Sequence, residues 1–331
     1  MESRNPQLPP LPPPPGAINA LVNGFNAIAS NVTVILIPAC LDLFLWLGPR
    51  LKADTLFAPL MELLPEIQAQ ASAEQSREIG LALTDFANSF NLFAAFRTFP
   101  LGVFSLMTTK MSILSPLGER IGIEVSHWLM AFAIVLGLTF LGWLAGSLYF
   151  RAVSRVALKL EKAPGLFHSL LHGILLSGMW LVFFTLANLP LLIFLWLLSL
   201  LNSLVRTILV FLLVVPISWG LLTVFFSFHG IFASAQNVFT SIGSSLRLLR
   251  YGLPPLGWFA MLTLLISQGM DMLWRIPPSD SWMTGIGILG HAFVSTSLLA
   301  ASFIYYRDLN AWVESILQWL KAQKTTSSAQ A

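Results

Sequence analysis

Ionisable side chains inside long apolar stretches are the residues of this sequence whose types could do chemistry. Asp42 lies in the stretch LIPACLDLFLWLGPR, while Asp271 and His291 lie in two later apolar stretches. A buried carboxylate beside an imidazole titrates near neutral pH, as a proton relay requires. The alternative is a fixed hydrogen bond that sets the register of two helices, and we favour that alternative. The candidate polar cluster consists of Asp42, His127, Asp271, Arg275 and His291.

The two aspartates differ in the partners that the sequence offers them. Arg275 follows Asp271 by four residues, which is the spacing of an ion pair on one helix face. The residue four positions after Asp42 is Trp46, so the partner of Asp42 must come from another segment. Four residues are expected at a depth in the membrane similar to that of Asp42 and are its candidate partners: His291, His127, Arg97 and Arg275.

Other motifs give weaker indications of chemistry. His168 and His172 have the i, i+4 spacing of two metal ligands, but no third ligand is evident nearby. We expect these two residues, and His229, to be interface residues at the cytoplasmic ends of their spans. The stretch GIGILG, residues 285–290, has the glycine spacing of a dinucleotide-binding loop but follows no predicted strand. The sequence therefore predicts no metal and no cofactor. It favours a protein without enzymatic activity, and an intramembrane enzyme is the third hypothesis for its function.

Composition indicates the solvent in which the chain folds. Of its 331 residues, 56% are apolar and 10% are charged, against about 25% charged in soluble domains. We therefore expect a lipid bilayer to cover much of the surface. The net charge is +3, and the basic residues form short clusters beside apolar runs, which is unlike a nucleic-acid-binding face. Cys40 is the single cysteine, so there is no disulfide framework.

Six apolar segments reach the length of about 20 residues that a membrane-crossing helix needs. One long run, residues 173–228, is interrupted by LLNSLVR and contains Pro190 and Pro216, which predicts a hairpin of two kinked helices. Gly142 and Gly146 predict close packing of the second segment on small residues of the sixth. The fold class is all-α, with about six transmembrane helices at 27–48, 127–150, 173–199, 206–228, 254–274 and 283–306.

Basic residues predict the orientation. The connection RAVSRVALKLEK carries four basic residues and one acidic residue in a short loop, so it is expected on the cytoplasmic side. Both termini then lie inside, and the expected location is the cell (cytoplasmic or inner) membrane. The sequence does not indicate an oligomeric state.

The longest predicted outer loop spans residues 49–126. Leu56, Leu60, Leu63 and Ile67 form one apolar stripe at helical spacing, and Ile79, Leu83, Phe86, Phe90 and Phe93 form another. Two amphipathic helices and an interfacial or re-entrant segment, NLFAAFRTFPLGVFSLM, are expected to form a helical lid.

The remaining boundaries divide the chain into five parts. Residues 1–16 form a proline-rich tail that is expected to be disordered and cytoplasmic, with a PxxP-type contact to a protein partner as an alternative. Residues 17–48 combine an interfacial helix with the first span, and 49–126 form the lid. Residues 127–320 hold the other spans with cytoplasmic surface helices, and 321–331 form a second disordered tail.

Two pairs of spans end alike. The first and fifth end in LDLFLW and MDMLW, and the second and sixth end in AGSLYFR and ASFIYYR. A parallel internal duplication would explain this similarity. Aromatic belts and cytoplasmic arginines explain it without common ancestry, so both interpretations stay open.

The stretches SSLRLLRYG and YYRDLNAW, with the spans between them, resemble bacterial multi-pass membrane families of unassigned activity. They are also similar to the membrane domain attached to some glycerophosphodiester phosphodiesterases. The resemblance covers residues 165–318 and, more weakly, the first 50 residues. It implies a fold; the phosphodiesterase catalytic domain is absent from the sequence, so that activity is not expected.

These features give two hypotheses for the function. The first is a non-enzymatic membrane scaffold or organising protein, in which polar residues fix the packing of the helices. The alternative is a proton-coupled transporter with an outward-facing polar cavity around Asp42.

Overall fold

The computed structural model describes residues 12–63, 65, 73–108, 110 and 112–330. It is 77% helical and has almost no strands, as the sequence predicts for the fold class. Two short 3-10 helices, Val32–Ile35 and Leu92–Phe96, accompany the α-helices. The α-helices are α1 (Ala17–Ala29), α2 (Leu36–Leu47), α3 (Asp54–Glu62), α4 (Ala73–Ser89), α5 (Trp128–Ala157), α6 (Leu166–Ser199), α7 (Ser203–Ser234), α8 (Val238–Trp274) and α9 (Met283–Gln330).

Within the described residues, the five helices α5 to α9 are long and apolar enough to cross a membrane. A sixth span results only if the bent pair Ala17–Ala29 and Val32–Leu47 is counted as one. The predicted first span, 27–48, is therefore broken. The break follows Ser30, whose hydroxyl donates to the carbonyl of Asn26 (2.9 Å) at the end of α1.

Helix α8 contains a kink. Gly252 has non-helical backbone angles (φ −120°, ψ 19°), and Pro254 and Pro255 follow it. Proline has no N–H to continue the helical hydrogen bonds and clashes with the preceding turn, so a bend here has a local cause. The bend lies where the sequence predicts the change from a surface helix to the fifth span.

The described chain divides into two compact units. The first consists of Met1–Ser30, Arg151–Leu265 and Ser297–Ala331. In this unit Gly24 of α1 lies against the backbone of α9, because a Cβ at Gly24 would lie 2.5 Å from the amide nitrogen of Ala301. The core of this unit is aromatic, and the rings of Phe259 and Tyr305 stack with their centroids 4.2 Å apart.

The second unit consists of Asn31–Phe150 and Ile266–Thr296. Its described residues contain four short strands that the sequence analysis missed. β1 (Arg50–Lys52) pairs in parallel with β4 (Gly122–Glu124), and β2 (Leu114–Ser115) pairs antiparallel with β3 (Gly118–Glu119). The predicted lid of helices is therefore corrected to helices with small strand pairs. Strands of two or three residues are too short to show an alternating apolar pattern.

Helices α3 and α4 overlap the two predicted apolar stripes, 56–67 and 79–93. Their aromatic residues pack on each other, with ring centroids 5.7 Å apart for Phe57 and Phe86 and 5.1 Å apart for Phe57 and Phe90. Leu63 is half-exposed just after α3. Ile67 lies outside the described residues.

The two ends of the chain were both predicted to be disordered tails. Helix α9 continues to Gln330, whereas the sequence predicted a disordered tail from residue 321. The stretch KAQKTTSSAQA contains no glycine or proline that would end a helix. Residues 1–11 of the proline-rich tail lie outside the described residues; Pro12, just after them, accepts a hydrogen bond from the Trp312 indole (2.8 Å).

Candidate functional site

The candidate site lies in the second unit, around an irregular segment, residues 97–108. This segment has no helix or strand, and yet many of its side chains are buried, including Leu101, Val103, Leu106 and Met107. Backbone N–H and C=O groups that are buried without regular secondary structure need other hydrogen-bond partners. This stretch, which the sequence predicts to be interfacial or re-entrant, is non-helical after Phe96.

One side of segment 97–108 packs on the glycine face of α5. A Cβ at Gly142 would lie 2.5 Å from the Phe96 carbonyl oxygen, and a Cβ at Gly146 would lie 2.8 Å from the Cα of Gly102. The two glycines therefore allow backbone to approach backbone. The sequence predicted close packing at these residues but assigned it to the sixth span. That assignment is corrected, because the partner is the irregular segment.

The Asp42 carboxylate binds the same segment through three hydrogen bonds. Oδ1 accepts from the Ser105 hydroxyl (2.5 Å) and from the Met107 amide (3.0 Å), and Oδ2 accepts from the Leu106 amide (2.9 Å). The side chain has 0% exposure. Two adjacent amides and a hydroxyl directed at one anion resemble the start of a helix that binds an anion. Asp42 thus accepts hydrogen bonds from two buried backbone amides of an irregular segment.

Two further contacts hold the turn around Ser105. The Thr108 amide donates to the Ser105 hydroxyl, and the Thr108 hydroxyl donates to the Ser105 carbonyl, each over 3.2 Å. Arg97 in turn donates to the Thr108 hydroxyl (3.1 Å). The turn is therefore hydrogen-bonded both to itself and to the carboxylate.

His291 lies between two carboxylates. Its Nδ1 is 3.7 Å from Asp42 Oδ2, and its Nε2 is 3.4 Å from Asp271 Oδ1. Asp271 also forms an ion pair with Arg275 over 2.9 Å, at the i, i+4 spacing that the sequence shows. Within the described residues, Nδ1 of His291 makes no hydrogen bond, and the residue is buried. Asp42, His291, Asp271 and Arg275 therefore form a continuous line of charged or titratable groups.

Arg97 supplies a second positive charge to this cluster. Burial lowers the pKa of the Arg97 guanidinium from its usual value, while the Asp271 and Asp42 carboxylates oppose that shift. Of these four groups Asp42 is buried, whereas Arg97 and Arg275 are exposed and Asp271 is partly exposed. The positive charges of the arginines oppose the cost of burying the Asp42 carboxylate.

The structure brings together four of the five residues in the predicted cluster: Asp42, Asp271, Arg275 and His291. His127 is exposed just before α5, and within the described chain it forms no ion pair or side-chain hydrogen bond with the other four. The sequence analysis missed Ser105 and the amides of residues 106 and 107. The only available signal was the S-x-x-T spacing of Ser105 and Thr108, which is typical of a capped turn.

Two hydrogen bonds connect this region to the turn between α8 and α9. The Trp46 indole donates to the Ser279 carbonyl (2.7 Å), and the Lys110 ammonium donates to the Pro277 carbonyl. Gly287 and Gly290 pack on Trp274, since a Cβ at Gly287 would lie 2.8 Å from the Trp274 carbonyl oxygen. The GIGILG stretch is thus a close-packing surface in this structure.

Arg120 links the end of α2 to the residues near the short strands. Its guanidinium donates to the carbonyls of Gly48 (2.9 Å), Ser112 (3.2 Å) and Pro49 (3.3 Å). Burial first, and then the charge of Arg50, lower the pKa of Arg120 to about 10, so it remains charged at neutral pH. A cavity of about 10 Å³ lies beside Arg120, Met107 and Thr108, and Asp42 does not line it. Such a volume has room for about one water molecule.

The other histidines contribute to packing. His229 is fully buried in the first unit, where its ring nitrogens lie 2.8 Å from the Ser302 hydroxyl and 3.1 Å from the Phe225 carbonyl. The His168 and His172 rings stack 4.0 Å apart. In the residues that the structure describes, no group of three potential ligands could hold a metal ion.

No protein-family model, curated protein or solved structure matches this chain. The resemblance to bacterial multi-pass families therefore stays a prediction. Any statement about function must come from the geometry above.

The arrangement has two chemical uses. A carboxylate that is saturated with hydrogen bonds holds a backbone turn in place. An imidazole between two carboxylates can also transfer a proton between them. The enclosure of Asp42 favours the first use, because a transport pathway needs access from solvent to the titrating group.

Proposed function

We propose that this chain is a multi-pass membrane protein with a non-enzymatic scaffolding or organising role. Five or six apolar helices of sufficient length support its insertion in a bilayer. The basic connection between α5 and α6 favours cytoplasmic N and C termini, and a cell membrane as the location. Segment 97–108 then lies towards the outer side, held on the membrane helices by Asp42.

One observation carries this proposal: the Asp42 carboxylate has 0% exposure and accepts three hydrogen bonds from residues 105–107. Through these three hydrogen bonds the Asp42 side chain supports the backbone of residues 105–107. A scaffold uses its polar intramembrane residues in this way. A group on a proton pathway must instead be reached by water at some stage of the cycle.

Proton-coupled transport is the second candidate, and the position of His291 supports it. The imidazole lies within 4 Å of carboxylates on both sides, at 3.7 Å from Asp42 and 3.4 Å from Asp271. Its Nδ1 has no hydrogen bond within the described residues. These are the features expected of a group that exchanges protons.

Proton flux separates the two candidates. The purified protein would be reconstituted in liposomes that enclose a pH-sensitive dye, with an imposed proton gradient. For a scaffold we expect wild-type and His291→Gln proteins to match protein-free liposomes. A flux in the wild-type protein that His291→Gln abolishes, with thermal stability unchanged, would establish transport instead.

The proposed orientation can be tested by labelling. In a Cys40→Ser background, Leu117→Cys places a thiol at a position with 71% exposure in the turn between β2 and β3. Glu161→Cys places one in the basic connection. A membrane-impermeant maleimide added to intact cells should label the first variant only, and detergent should allow both to react. Labelling of Glu161→Cys in intact cells would contradict the orientation.

A further inference from the structure

The distal half of the hairpin of α6 and α7 is largely exposed. Residues 181–197 of α6 and 204–221 of α7 carry many exposed apolar side chains, such as Leu186, Leu192 and Phe211. The sequence has no charged residue between Lys162 and Arg206. If the proposed membrane insertion is correct, lipid or another protein must cover this surface.

Asn188 interrupts this apolar surface at its centre. It lies midway along the apolar run 174–201, with about 20 Å of helix on each side at 1.5 Å per residue. The hydrocarbon core is about 30 Å thick, so neither end of the run brings Asn188 to the interface. The side chain is nevertheless exposed.

The hydrogen bonds of Asn188 are incomplete. Its amide nitrogen donates to the carbonyl of Phe184, four residues earlier, over 2.9 Å. Within the described chain the side-chain oxygen accepts no hydrogen bond, and the second N–H has no acceptor. In lipid there is no water to supply either partner.

We propose that this face of α6 binds a second copy of the same chain, with the two Asn188 side chains hydrogen-bonded across a two-fold axis. The inference rests on the proposed membrane insertion. An asparagine amide carries both donors and an acceptor, so two copies satisfy each other. A single buried asparagine is known to select a paired, in-register arrangement of helices in this way. A lipid-covered monomer would leave the oxygen without a donor.

The neighbouring residues on this face are suited to helix contact. Leu181, Thr185 and Leu192 lie within one helical face of Asn188, at spacings of seven, three and four residues. The Thr185 hydroxyl is bonded to the Leu181 carbonyl (2.8 Å), so it brings no unpaired donor to the surface. Leu186, two residues before Asn188, points to the opposite side.

Cross-linking in membranes tests the geometry. In a Cys40→Ser background, Leu192→Cys and Leu186→Cys place thiols at positions with 61% and 71% exposure in one subunit. Under mild oxidation we expect a disulfide-linked dimer with Leu192→Cys and little with Leu186→Cys. Equal cross-linking at both positions, or none at either, would overturn the proposal.

Asn188→Val and Asn188→Gln test the chemistry. Single-molecule photobleaching after dilution in lipid should show a dimer for wild-type protein, an association about tenfold weaker for Asn188→Val, and an intermediate result for Asn188→Gln, whose amide is retained. A wild-type protein that resists carbonate extraction but stays monomeric, or an Asn188→Val variant as dimeric as wild type, refutes self-association alone. A wild-type protein released by carbonate refutes the membrane proposal itself.

Discussion

Replacing Asp42 by asparagine should lower the free energy of unfolding by about 3 kcal/mol, since hydrogen bonds to a charged group contribute about 1.5–3 kcal/mol each. The new side chain would keep one oxygen as an acceptor for two of the three donors. Its NH₂ group would face the third donor, the amide N–H of Leu106, and two donors repel each other. The enclosed site leaves no room for water to separate them.

Reversible unfolding in mixed micelles measures this loss. Asp271→Asn is the matched control, because it is the same chemical change in the neighbouring carboxylate. Asp271 is partly exposed and its ion pair with Arg275 is on the surface of the unit, so we expect a loss of roughly 1 kcal/mol or less. Equal losses for the two variants would show that the three hydrogen bonds of Asp42 contribute no special stability.

Adding one methyl group at Gly146 should also destabilise the protein strongly. The Cβ of Gly146→Ala would lie 2.8 Å from the Cα of Gly102 and 2.9 Å from its amide nitrogen. These are backbone atoms of segment 97–108, so they cannot rotate away as a side chain would. Either α5 or the segment must move, and such overpacking costs about 1–3 kcal/mol, occasionally more.

Gly137→Ala on the same helix is the control for this prediction. A Cβ at Gly137 meets nothing within 4 Å, and alanine is the better helix former by about 1 kcal/mol in soluble helices. The two variants should therefore change the unfolding free energy in opposite directions. If Gly146→Ala is as stable as Gly137→Ala, the close approach of α5 to residue 102 is wrong.

The sequence predicted the helices more successfully than the short strands. Long apolar runs such as residues 173–199 and 206–228 carry a composition signal that α6 and α7 match. The strands at residues 50–52 and 122–124 pair across 72 residues of sequence and are three residues long. Their pairing depends on the Arg120 contacts and on the position of α2, neither of which leaves a periodic pattern.

Only the charged and titratable residues of the candidate site could be predicted from the sequence. Depth and residue type give His291 as one of four candidate partners of Asp42, and the i, i+4 spacing gives Arg275 as the partner of Asp271. The strongest partners of Asp42 are the amides of Leu106 and Met107, 64 and 65 residues away. Every residue except proline has such an amide, so residue type cannot identify them; only the fold of segment 97–108 can.

The same limit applies to the glycines of α5. The GxxxG spacing of Gly142 and Gly146 predicts that backbone comes close, but it does not indicate whose backbone. Another helix is the usual partner in a membrane. Here the partner is an irregular segment, and Asp42 satisfies its buried amides on another side. The two features together explain how a non-helical stretch can be packed between helices.

Amide hydrogen exchange at Leu106 and Met107 tests the central claim, that Asp42 holds segment 97–108 in place. In wild-type protein these amides should exchange slowly. In Asp42→Asn they should exchange at least about tenfold faster, as expected for a local loss of about 1.4 kcal/mol or more, while the amides of α9 around Ala300 stay protected. Unchanged protection of residues 106 and 107 in Asp42→Asn would contradict the scaffold account.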